Sequence, residues 1–220
     1  SNDLGTGTTL DLSTVSVMPN DVVVCEVRTI DDNSEEAEDT GSVTIANRAP
    51  VLSAATIDNS TPYADSTISC SASVTDADGE SLNTTYEWTN GAAVLGSAAS
   101  LTLTPSDAGV GDTLTCTVSV EDGYGGSDST TATATVQNTN PTMGSVSISP
   151  SGATVTDEIT CSASGTDLND GTLTATYSWN NDTTSTTLGT DATLQLDSTI
   201  SSPEDNITCS VTFTDNNGAS

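Results

Sequence analysis

The segment "DADGE", Asp76 to Glu80 within "VTDADGESLNTTYEW", sets three carboxylates around one glycine. Three kinds of chemistry suit such a cluster. Alternate acids supply hard oxygens to Ca²⁺, which takes six to eight of them. A carboxylate pair can do general acid–base work if one member has a raised pKa in a cleft. Asp, Asn and Gly are also the residues that close tight turns. The same types recur along the chain. Asp122 lies in "VEDGYGGSDS" with Glu121 and Asp128, and Asp167, Asn169, Asp170 and Asp215 hold related places further on. Asp31, Asp32, Glu35 and Glu36 form an earlier group. An Asp follows each cysteine by six residues, at Asp31, Asp76, Asp122, Asp167 and Asp215. The candidate cation ligands are therefore Asp76, Asp78, Glu80, Asp122, Asp167, Asn169, Asp170 and Asp215, with Ca²⁺ as the ion. An EF-hand is rejected. "DADGESLNTTYE" has acids at the right places, but Ser81 stands where that loop needs its glycine, and Glu87 falls in a predicted strand. Turn chemistry alone remains the competing reading.

Catalysis is the weakest reading. The chain has no His and no Lys, so the usual bases for a Ser or Cys nucleophile are missing. The acids fall on predicted loop tips among further negative charge, where no apolar wall would raise a pKa. No catalytic residue is assigned, and the expectation is that the protein is not an enzyme. With 31 acidic residues against two basic ones, Arg28 and Arg48, the formal charge is -29. That excludes nucleic acid and anionic membrane surfaces as partners, since both need clustered Lys and Arg. No apolar run is long enough to span a membrane, and no signal peptide is present at Ser1.

The loops must be carried by strands. In "STISCSASV", Ile68, Cys70, Ala72 and Val74 share one face and hydroxyl residues the other; "DTLTCTVSV" repeats this with Leu114, Cys116, Val118 and Val120. Period-two alternation without any sustained helical period predicts an all-β protein. The chain also copies itself. "LGTGTTLDL", "LGSAASLTL" and "LGTDATLQL" begin at Leu4, Leu95 and Leu188, 91 and then 93 residues apart. Boundaries fall at "ANRAPV" and "QNTNPT", where Pro50 and Pro141 interrupt pairing. The expected organisation is 1–47, the C-terminal part of a repeat (strands E–G); 48–138, a complete repeat; and 139–220, a repeat lacking its last strand. Seven strands are expected in the complete copy, at about 51–58, 66–74, 82–88, 92–96, 99–104, 112–120 and 128–136.

This register accounts for five cysteines. Each copy carries one in an early and one in a late strand, which predicts disulfides Cys70–Cys116 and Cys161–Cys209, with the partner of Cys25 upstream of Ser1; five reduced core cysteines are the alternative. Closing a loop of this size stabilises each unit by about 4 kcal/mol in the chain-entropy model. Disulfides in this number imply an oxidising, extracytoplasmic setting.

Cys in strand B, Trp88 or Trp179 in strand C eighteen residues later, and Cys in strand F resemble the immunoglobulin sandwich. The "NxxP" opening, "D-x-D-G-[DE]-x-L…Y-x-W" and "GDTLTCTVSVEDGYGGSDS" resemble the Ig-like and PKD-like tandem repeats of bacterial and archaeal secreted or cell-surface proteins. The tyrosine corner of many Ig domains is absent, since Val23, Leu114 or Ile207 stands two residues before the late cysteine. The resemblance implies tandem Ig-like β-sandwiches with one inter-sheet disulfide per repeat, serving as a spacer, stalk or fibre subunit at a microbial surface. The alternative is an adhesin recognising glycan or protein through its loops, stiffened by Ca²⁺. Partners would be neighbouring repeats of the same protein, including a homopolymer or filament. Ser1 corresponds to Ala92 and Ser220 to Ser127, so both ends fall inside a repeat, and a strand edge is expected to stand open. Sequons at Asn59, Asn83, Asn181 and Asn206 are candidate glycosylation sites. Tyr63 and Tyr124 are the aromatics expected in exposed loops.

Overall fold

The computed structural model describes residues 2–220. Apart from a 3-10 turn at Leu12–Thr14, every regular element described is a strand. In the first copy, β1 (Val22–Ile30) and β2 (Glu36–Thr44) pair as an antiparallel ribbon. The second copy holds β3 (Val51–Leu52), β4 (Thr56–Ile57), β5 (Thr67–Ser71), β6 (Val74–Thr75), β7 (Asn83–Asn90), β8 (Ala93–Gly96), β9 (Ser100–Thr102), β10 (Thr113–Glu121) and β11 (Ser127–Thr135). The third holds β12 (Thr142–Ser149), β13 (Glu158–Asp167), β14 (Gly171–Thr172), β15 (Ala175–Asn181), β16 (Thr186–Gly189), β17 (Thr193–Gln195) and β18 (Ile207–Phe213).

In the second copy one sheet runs β11-β10-β7-β8 and another β4-β5-β9, with β3-β6 beside it. The disulfide Cys70–Cys116 ties β5 to β10 across the two sheets, with Cα atoms 6.5 Å apart. In the third copy Cys161–Cys209 ties β13 to β18, with Cα atoms 6.4 Å apart. Cys25 is unpaired and exposed. The strands are those the alternation predicts, their arrangement is the tandem Ig-like sandwich that the resemblance implies, and the bridges are those expected from the register.

The expected strand over 51–58 is broken into two. Leu52 N–H donates to Asp128 Oδ2 at 2.8 Å and Ala55 N–H to Thr130 Oγ1 at 3.2 Å, so side chains of β11 take donors that a strand partner would otherwise use. The chain thereby passes from the β6 partner to the β5 partner with the Leu52, Ser53 and Ala55 amides paired.

Compactness divides the chain into two units, Ser1–Asn59, Ser69–Leu101 and Thr115–Thr133 in one, Ser60–Ile68, Thr102–Leu114 and Ala134–Ser220 in the other. In the first unit Trp88, Cys116, Val118 and Val120 are wholly buried, and the Trp88 indole N–H donates to the Ala98 carbonyl at 3.0 Å. In the second, Trp179 packs with Ile159, Cys161, Leu194 and Leu196, its indole donating to the Asp191 carbonyl at 2.9 Å. A buried indole keeps its polar edge satisfied in this way. The two tryptophans are core residues. Residue size is redistributed between copies: where β10 has Val120 and β6 has Val74, the third copy has Phe213 and Gly165. A Cβ at Gly165 would stand 2.5 Å from the Phe213 ring.

Candidate metal centre

Three loops carry an aspartate six residues after the late cysteine, and each folds the same way. Asp122 Oδ1 accepts the N–H groups of Tyr124 and Gly126, both at 2.8 Å, while its own N–H donates to the Gly126 carbonyl. Asp215 does this with Asn217 and Ala219, and Asp31 with Asn33 and Glu35. One oxygen closes the turn, as short acidic side chains do. The second oxygen takes no part in the turn. At Asp122 it accepts Asn47 Nδ2 at 2.8 Å, and at Asp215 it accepts Asn138 Nδ2 at 2.7 Å. Each asparagine opens the segment that leads into the next copy, and its amide holds that segment to the loop.

The loops after the early cysteine show the same division. Asp76 Oδ1 accepts the Asp78 N–H at 2.7 Å, and Asp167 Oδ1 accepts the N–H groups of Asn169 and Asp170. Residue 48 or 139 then docks on the residue two further along. Arg48 N–H donates to Asp78 Oδ2 and its Nε to Oδ1, both at 2.7 Å; Thr139 N–H donates to Asn169 Oδ1 at 3.0 Å.

Here the two segments part. In the third copy the Thr139 hydroxyl reaches Asp167 Oδ2 and Asn169 Oδ1, and Asp170 accepts both the backbone and side-chain amides of Asn216. In the second copy Arg48 offers no hydroxyl, and Glu80 replaces a glycine. As a result Asp76 Oδ2, both Glu80 carboxylate oxygens and Asn47 Oδ1 are buried without a hydrogen-bond partner; in the third copy only Asn138 Oδ1 is so. Ligand atoms of Asp76, Glu80 and Asp122 lie within 4.8 Å of one another. Burial of oxygens that accept nothing is costly, more so when they are charged. Four such atoms in one place form a hard-oxygen donor set that fits Ca²⁺.

Protonation follows from these surroundings. Burial pushes the Glu80 carboxyl above the ordinary carboxylate range, and Asp76 beside it adds to the rise. The Asn47 amide holds Asp122 below that range, and the Asn138 amide does the same to Asp215. Asp78 is lowered by its hydrogen bonds from Arg48.

Of the eight acids and amides expected from sequence, the structure brings together Asp76, Glu80 and Asp122. It places Asp78 in a pair with Arg48 and divides Asp167, Asn169, Asp170 and Asp215 among protein donors. Asn47, Asn138, Arg48 and Thr139 were read only as boundary punctuation. The signal that pointed to the asparagines was their recurrence three residues before Pro50 and Pro141. Among the sequons, Asn59, Asn83 and Asn206 are exposed. Asn181 is not open to a glycan. It is 1% exposed, and its Nδ2 donates to the Ile200 carbonyl and to Asp205 Oδ2. Asn181 is the last residue of β15 and is buried, so the sequon there is closed off by the fold. Tyr63 and Tyr124 are 49% and 37% exposed.

Residues 47–137 match the family described as Bacterial Ig domain. A solved structure, "Protocadherin Gamma B2 extracellular cadherin domains 3-6", matches at 15% identity with a TM-score of 0.32. The match covers 87% of this chain and 51% of that one, so the chain spans about half the length of that structure. No curated protein matches. The matched segment holds one sandwich, its disulfide and the oxygen cluster, and over that segment the chain is similar to bacterial Ig domains, while the sequence elements on either side repeat its pattern.

Proposed function

We propose that the chain is an extracellular spacer, a segment of a stalk or fibre, and that Asn47, Asp76, Glu80 and Asp122 hold a Ca²⁺ ion where the second copy begins. The observation that carries this reading is the bare oxygen set, which hydrogen bonds close in the third copy and leave open in the second. A bound ion would neutralise those oxygens and fasten the segment around Asn47 to both loops. The role is mechanical and not catalytic: each acid either holds a turn, docks a segment or faces the ion. Disulfides in both copies suit an oxidising compartment. Among the described residues no helix is long and apolar enough to cross a membrane.

Millimolar Ca²⁺ should raise the thermal midpoint by a few degrees beyond NaCl at matched ionic strength, and EGTA should reverse the rise. A ligand that binds only the folded state stabilises in this way. Glu80→Gln should remove the increment. Identical melting curves with and without Ca²⁺ would end the reading. The increment should also depend on pH with a definite sign. Without the ion, the raised Glu80 pKa favours the folded state at low pH, and that contribution is lost as pH rises through the folded-state value. Ca²⁺ competes with this proton, so its stabilising effect should grow over the same rise.

A further inference from the structure

Resting on the ion reading above, we infer that Arg48 sets how tightly the second-copy site holds Ca²⁺. Its guanidinium, clamped on Asp78 among the ligands, is a built-in competing cation that keeps the site weak. The chain has only two basic side chains, and one of them stands here. Arg48 follows Asn47 directly, and its partner Asp78 lies midway between Asp76 and Glu80 along the loop.

The clamp does more than docking requires. In both copies a backbone amide docks the segment, Arg48 N–H on Asp78 Oδ2 and Thr139 N–H on Asn169 Oδ1. The second copy adds a guanidinium fork. Arg48 Nε and Nη2 both donate to Asp78 Oδ1, at 2.7 and 2.5 Å, and Nη2 also donates to the Ala77 carbonyl at 2.8 Å. The Arg48 side chain is 66% exposed and that of Asp78 is 9% exposed. An ion pair with one partner so open to water adds little stability, so its main effect is on the charge of the site.

Position by position, Arg48 and Asp78 stand where the third copy has Thr139 and Asn169. One cation and one anion thus replace two neutral side chains together. The pair cancels, and Asp76, Glu80 and Asp122 remain as the uncompensated charge that faces the ion. Without the guanidinium, Asp78 would add a fourth carboxylate beside them. The coupling is visible at Arg48 itself. Hydrogen bonding to Asp78 raises its pKa, and the fields of Asp78, Asp76 and Glu80 add to the rise. Such coupling is reciprocal: acids that stabilise one cation bind a second less well while the first is present.

The test is calorimetric titration of the whole chain with Ca²⁺. Arg48→Gln keeps the docking amide and removes the charge, and it should tighten binding about three- to tenfold at low salt. Arg48→Lys keeps the charge and loses the fork, and should bind as the unmodified chain does. Asp78→Asn leaves the guanidinium unopposed and should weaken binding by a similar factor, while the double variant Arg48→Gln, Asp78→Asn should return near the starting affinity. The advantage of Arg48→Gln should shrink as NaCl rises from about 10 mM to about 1 M, because the screening length falls from about 30 Å to about 3 Å. If the unmodified chain binds and Arg48→Gln binds equally or more weakly, the inference is overturned and the ion reading stands. The same holds if Arg48→Lys tightens binding as far as Arg48→Gln, since the effect then belongs to the shape of the fork. Binding absent from the unmodified chain and from Arg48→Gln alike removes the ion reading, and the inference falls with it.

Discussion

Around Gly126 the turn, the docked segment and the acid converge so closely that a side chain has no place to go. A Cβ there would lie 2.1 Å from Asp122 Oδ2 and 2.8 Å from the Ala49 Cα, the latter a backbone atom that cannot swing aside. Gly126→Ala should destabilise the chain by about 1–3 kcal/mol, as overpacking usually does. At Gly123, three residues earlier in the same loop, an added Cβ meets nothing within 4 Å, so Gly123→Ala should be near neutral. Urea unfolding of the two variants compares them directly, and equal midpoints would contradict the packing described. At this scale sequence was half informative. Asp76 and Asp122 were legible because each recurs at a fixed distance from a cysteine. The oxygen of Asn47 and the missing hydroxyl at Arg48 were not, because their meaning depends on residues about 30 and 75 positions away that only the fold brings near.

Strands transmit the same copying with local adjustment. Phe213 on β18 is 4% exposed and sits where a Cβ on Gly165 of β13 would collide with three of its ring atoms. Gly165→Val should therefore cost about 1–3 kcal/mol. Adding Phe213→Val recreates the Val74 and Val120 combination of the second copy and should recover most of the loss. The double-mutant cycle should give a coupling well above the roughly 0.5 kcal/mol expected of independent sites. Strict additivity would show that the two positions do not share one space. Period-two alternation revealed which face of β5, β10 and β13 turns inward, and the late-strand cysteines revealed which strands are bridged. It could not reveal that one large and one absent side chain compensate across sheets, because both patterns read simply as inward apolar positions. The split of the expected 51–58 strand escaped for a related reason: Asp128 and Thr130 cap its amides from β11, far along the chain.

Over the whole molecule, charge is the dominant long-range term. With 31 acids and two arginines the chain repels itself, and both arginines already pair locally, Arg28 with Glu36 and Arg48 with Asp78. Raising NaCl from about 10 mM to about 150 mM shortens the screening length from about 30 Å to about 8 Å. The thermal midpoint should rise across that range, since self-repulsion weakens more than two exposed ion pairs lose. A midpoint that falls with salt would mean that local pairs outweigh the net field. The class of fold was readable at this scale, alternation giving strands, repetition giving the copies, and the spacing of Cys, Trp and Cys resembling the sandwich. How compactness partitions the chain was not, since contacts cut through the 91-residue sequence period.

The aspartate turns have a consequence for how such a protein can vary. Each turn is closed by one carboxylate oxygen, so the other is left to the neighbouring segment. What it does is decided by the neighbouring segment: an asparagine amide holds it at Asp122 and Asp215, the Thr139 hydroxyl reaches it at Asp167, and beside Arg48 it is left bare at Asp76. The joint is thus written in a vocabulary separate from that of the core. Under the proposed ion reading, Arg48→Thr would offer Asp76 Oδ2 the hydroxyl that Thr139 offers Asp167 Oδ2, while the Glu80 oxygens would still be left to the ion, with every strand and every bridge as it was.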